Sequence, residues 1–80
     1  MNISGAVAER IRELIKENGL TLYRFERKAG LAHDTLKSIM KGKAKGVNLK
    51  TCMIIAKGFN MNVWEFLDSE IFKYENISFD

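Results

Sequence analysis

The stop signals constrain this chain most. Asn18-Gly19, Gly30, Gly42 and Asn60 interrupt a proline-free sequence at short intervals, and each closes a run whose apolar residues recur three or four apart. Such punctuation permits only short helices. Val7, Ile11, Leu14 and Ile15 form the inner face of a first amphipathic helix, which Asn18-Gly19 ends. Thr21 suits an N-cap, and Leu20 before it with Phe25 inside makes a hydrophobic staple for a second helix of about two turns, ending at Gly30. Leu36 and Ile39 give a third helix a narrow apolar stripe, with His33, Asp34, Lys37, Ser38 and Lys41 pointing elsewhere and Gly42 in the left-handed position after it. Asn48 caps a fourth helix whose expected inner face is Leu49, Cys52, Ile55, Ala56 and Phe59, stopped by Asn60. Asn62 with Glu65 then forms a capping box for a short fifth helix through Leu67. Outside the tail, no stretch alternates cleanly enough to demand a strand.

Eighty residues make one domain, read here as a helical unit over 1–68 and a tail over 69–80. Nearly half the residues are apolar and none lies in a low-complexity run, which excludes a disordered chain. Cys52 is alone and cannot close an internal disulfide, and neither a leader nor a long apolar span is evident. A soluble, cytoplasmic protein with no membrane partner is therefore expected. Charge is unevenly spread. Residues 18–60 hold nine basic and two acidic side chains, whereas residues 61–80 hold one basic and five acidic. A basic middle on a folded domain suits a polyanion, although an ordinary solvated face would carry the same charge.

Two short helices joined by a tight glycine turn, the second polar and exposed, are the signature of a helix-turn-helix. Residues 7–67 resemble the Cro and lambda-type repressor family of helix-turn-helix regulators, also called the xenobiotic-response-element family. The resemblance rests on "RIRELIKENGLTLYRFERKAGLAHDTLKSIMKGK" and "NLKTCMIIAKGFNMNVWEFL", in which Gly30, the pair Leu36 and Ile39, the "KGK" exit and the last helix fall at the family's spacing. It implies an all-α, five-helix lambda-repressor-like domain that places its third helix in the major groove of double-stranded DNA. Two residues depart from the family. Glu26 stands where a small residue usually lets the two motif helices cross, so its carboxylate must swing outward or the crossing must loosen. Ala32 replaces the usual Ser or Thr cap of the third helix, removing an acceptor worth about 0.5–2 kcal/mol, and Asp34 in the first turn partly compensates through the helix dipole.

By the family's pattern, His33, Asp34, Lys37 and Ser38 face base edges. Lys37 can donate to guanine, Asp34 can accept from cytosine N4, and His33 and Ser38 can do either. Asp34 has an alternative role, serving only the helix terminus. Thr21 and Asn48 head helix N-termini suited to phosphate, and the family runs the loop carrying Lys41, Lys43 and Lys45 along the DNA backbone. These contacts fix position, not sequence.

No cofactor and no enzyme activity are expected. One His and one Cys cannot build a metal site, Cys52 lies on an expected core face, and no phosphate-cradling glycine motif is present. The resemblance implies a regulator, expected to be a repressor associated with the nucleoid, that occupies a palindromic operator. The alternative is an antitoxin-like module that binds a toxin protein as well as DNA. A third reading, a helical domain that binds protein only, draws on Glu26 and Asp34. A homodimer is expected because one short helix reads few base pairs. Its interface would include Ile54 and Trp64, usually polar in the family, together with Ile71, Phe72 and Tyr74 of the tail. The competing arrangement is a tail folded back on its own monomer, with Trp64 sealing the bundle.

Overall fold

The computed structural model describes residues 1–79. Five α-helices run in order, α1 Ile3–Glu17, α2 Leu22–Ala29, α3 His33–Met40, α4 Leu49–Gly58 and α5 Val63–Leu67, followed by two 3-10 turns at Glu70–Phe72 and Tyr74–Asn76. The fold is all-α, with no strand among the described residues. Every expected helix forms, and its expected stop is where it ends.

The caps follow from local chemistry. Thr21 Oγ1 accepts from the Arg24 N–H at 3.1 Å, and Asn48 Oδ1 accepts from the Thr51 N–H at 2.8 Å. The Glu65 carboxylate accepts from the Asn62 backbone N–H at 2.9 Å, the reciprocal half of the capping box. After α3, the Gly42 N–H donates to the Ile39 carbonyl at 2.9 Å and the Lys43 N–H to that of Ser38 at 3.0 Å, which closes a Schellman turn.

Val7, Ile11 and Leu14 of α1, Phe25 of α2, Leu36 and Ile39 of α3, Ile55 and Phe59 of α4 and Phe66 of α5 share one core. Phe25 and Phe59 stack with ring centroids 4.3 Å apart and planes 10° from parallel. Beside that stack α2 and α4 approach so closely that a Cβ on Gly58 would lie 2.8 Å from Ala29 Cβ and 2.9 Å from Phe25 Cε1. Glycine is required there by space.

Helix α1 does more than fill the core. Ser4 Oγ, fully buried, donates to the Ile39 carbonyl at 3.0 Å; Arg12 Nη2 donates to the Met40 carbonyl and Asn2 Nδ2 to the Gly42 carbonyl, both at 3.1 Å. The first two acceptors are the last carbonyls of α3, which have no partner within the helix, and the third lies in the turn that follows it. At the other end Arg10, buried, donates from Nε to the Phe66 carbonyl at 2.7 Å and from Nη2 to the Glu65 carbonyl at 3.0 Å. It also pairs with Glu13 and lies over the Phe66 ring. Helix α1 thus holds the C-terminal ends of both α3 and α5.

Two expectations change. Leu49 is 64% exposed and not on the inner face of α4, because it is the first residue of the helix, on a turn that overhangs the core. Trp64 is 68% exposed and does not seal the bundle. The tail lies on its own chain: Phe72 is drawn in beside Phe66, centroids 6.0 Å apart, and the Glu70–Phe72 turn packs on α1. The Ser78 N–H donates to the Met1 carbonyl at 2.8 Å, and the Met1 ammonium to that of Asn76 at 3.1 Å. Phe72, expected at a dimer interface, is half-buried against Phe66 of its own chain. Ile71 and Ile77 are half-buried, and Tyr74 stands exposed with Phe79 at its ring edge.

Candidate nucleic-acid interface

The turn between α2 and α3 is built on Gly30, whose φ of 73° is costly for any residue with a Cβ and whose N–H donates to the Glu26 carbonyl at 3.0 Å. Leu31 then packs partly against the core and fixes where α3 begins. Ala32 offers no side-chain cap, as expected, and Asp34 occupies the first turn. Leu36 and Ile39 are each 2% exposed, so the opposite side of α3 is committed to solvent. His33, Asp34 and Lys37 are exposed there, and so is Thr35, which sequence reasoning passed over. Ser38 is half-buried at the turn where the loop folds back onto it.

The loop after α3 owes its shape to two small apolar residues. Ala44 and Val47 pack against the core, and this leaves Lys41, Lys43 and Lys45 exposed. The three lysines are thus presented by a pinned segment, adjacent to the exposed side of α3. Thr21 and Asn48, at the starts of α2 and α4, have their side chains engaged as caps, so what they offer an anion is the remaining first-turn N–H groups.

A second basic surface was missed from the sequence. Leu20, Thr21, Tyr23, Arg24, Arg27 and Lys28 line an open groove along α2, with the Arg27 guanidinium 5.8 Å from the centroid of the Tyr23 ring. The signal was available: with Phe25 buried and Ala29 half-buried, Arg24, Arg27 and Lys28 must share the outer side of the helix.

Glu26 takes the first of the two courses open to it. Its carboxylate swings away from the crossing and meets His33 at 2.7 Å, Oε1 to Nδ1, which ties the end of α2 to the start of α3. The Glu26 side chain is 18% exposed and that of His33 74%.

Other chemistry finds little support. Burial pushes the Cys52 thiol up, away from a reactive thiolate. Among the described residues no group of His, Cys, Asp and Glu could hold a metal ion, and no helix is long and apolar enough to cross a membrane. Away from the basic end, Leu49, Met53, Ile54 and Trp64 line an apolar groove between α4 and α5, edged by Lys50 and Lys57.

The comparison with known families agrees with the geometry. Residues 10–70, from within α1 to the first tail turn, match the profile of the Cro/C1-type HTH DNA-binding domain. No curated protein matches the chain.

Proposed function

The chain belongs to the Cro/C1-type HTH DNA-binding family, and on that premise we propose that it is a transcriptional repressor occupying a palindromic operator. The observation that carries this reading is a polar α3 surface beside three exposed lysines, on a helix whose far end is tied down by Asn2, Ser4 and Arg12. A reading element held in this way meets DNA preorganised. In the major groove, Lys37 donates to guanine O6 or N7, Asp34 accepts from cytosine N4, and His33 and Ser38 complete the base-facing set. Lys41, Lys43 and Lys45 and the helix starts at Thr21 and Asn48 bind phosphate, joined by Arg24 and Arg27 of the α2 groove.

The second half of the operator is read by a second copy. Its docking face is the α4–α5 groove lined by Ile54 and Trp64. Exposed tryptophan among apolar neighbours suits an interface core, and a two-fold contact brings the basic edge at Lys50 and Lys57 toward the acidic α5 end at Glu65 and Asp68. The acidic tail is kept off the DNA by the same arrangement. A second reading, an antitoxin-like module, uses the same open groove for a different protein. Light scattering on the parent and on Trp64→Ala separates the two: a dimer lost in the variant supports the first, and a monomeric parent supports the second.

Selection of bound sequences from a random DNA pool tests the function itself. The expected product is an inverted repeat with half-site centres about one helical turn, roughly 34 Å, apart. Failure to enrich any sequence, together with no DNA binding at low salt, overturns the proposal.

A further inference from the structure

The contact between Glu26 and His33 has a consequence for how DNA is read. A neutral imidazole carries its proton on one nitrogen and accepts at the other. A carboxylate cannot donate, so the 2.7 Å contact from Glu26 Oε1 to Nδ1 requires the proton at Nδ1. Nε2, on the other side of a ring that is 74% exposed, is what remains for a ligand. In the neutral ring Nε2 is an acceptor; in the imidazolium it is a donor.

We propose that Glu26 is a positioning residue that fixes which nitrogen His33 presents to DNA, so that His33 donates from Nε2 to an acceptor on the duplex and takes up a proton on binding. This rests on the reading of α3 as the DNA-facing helix. DNA presents mostly acceptors: phosphate oxygens everywhere, and guanine O6 and N7 in the major groove. A ring locked with Nδ1–H on Glu26 meets them only after Nε2 is protonated. The charged groups around the ring come from both helices. They are Glu26 of α2 and, lining the same small cleft with Leu22, Leu36 and Met40, Lys37 and Lys41. A phosphate or guanine acceptor bound at Nε2, with Nδ1–H already on Glu26, needs both ring nitrogens protonated.

The chain contains a single histidine, so its ring-nitrogen NMR signals are unambiguous. In the free protein, at a pH where the ring is neutral, the expected spectrum shows Nδ1 protonated and Nε2 bare. Glu26→Ala should shift the population toward the Nε2-protonated form. A neutral ring protonated mainly at Nε2 in the parent overturns the proposal without reference to DNA. The second measurement is affinity for the selected operator between pH 6 and pH 8, the range across which histidine ordinarily changes charge. Affinity is expected to fall several-fold as pH rises in the parent, to be flat in His33→Gln, and to have a weakened slope in Glu26→Gln, which keeps an acceptor but loses the charge. Coincident profiles for the parent and His33→Gln overturn the inference while leaving the DNA-binding function intact, whereas a parent that binds no DNA sinks both. A donation to guanine is marked by loss of preference at one base pair in His33→Gln; a donation to phosphate weakens all sequences alike.

Discussion

Helices α3 and α5 are both too short to persist alone, at 8 and 5 residues, and both are held at their C-terminal ends by side chains of α1 and its cap. The way they are held differs. The end of α3 is spread over three donors, the neutral buried Ser4 and the exposed Asn2 and Arg12, each taking one carbonyl. The end of α5 depends on one buried arginine that takes two carbonyls, pairs with Glu13 and covers the Phe66 ring. Several weak ties tolerate the loss of any one; a single charged tie does not. The helix proposed to read DNA is therefore held robustly against single changes, and the end proposed to meet a second copy is fragile.

Arg10→Met should show the largest effect. It keeps an unbranched stem but strips the Glu65 and Phe66 carbonyls of their charged donor, at a cost of about 2–4 kcal/mol in urea-unfolding stability. If Ser4→Ala costs more than Arg10→Met, the contrast between the two ends is reversed. Gly58→Ala probes a third contact, the close crossing of α2 and α4. Its Cβ collides with Ala29 and Phe25, and overpacking there should cost about 1–3 kcal/mol. Ser4→Ala takes one of two donors from the Ile39 carbonyl, leaving the Gly42 N–H, and should cost about 1 kcal/mol, with Asn2 and Arg12 still in place. The smallest change in unfolding stability is expected for Trp64→Ala. With its side chain 68% exposed, the monomer should lose about 0.5 kcal/mol or less, while dimerisation measured by light scattering is lost.

Much of this could be read from the sequence, and the reason is local. Caps, stops and the Leu36 and Ile39 stripe depend on residues a few positions apart, so the helices and the exposed side of α3 were legible. The α1 clamps were not, because Ser4 and Ile39, or Arg10 and Phe66, are paired only by the tertiary fold. An arginine in an amphipathic helix reads as solvated, and here its burial depends on α5 arriving beside it. Leu49 failed for a related reason: periodicity gives the side of a helix but not where the neighbouring helices end. The tail held two competing arrangements in one composition. Its backbone bonds to Met1 and the docking of Phe72 lie beyond any local pattern.

The claim that the loop after α3 lies on the DNA backbone is tested most directly by salt. Each phosphate neutralised contributes about 0.9 to the slope of log affinity against log salt. The parent and the Lys43→Ala/Lys45→Ala double variant should therefore differ in slope by about 1.8 per half-site, about 3.6 for two copies on the full operator, with the variant weakened on every sequence and its base preference unchanged. An unchanged slope in the folded double variant would contradict the account and remove the loop from the interface.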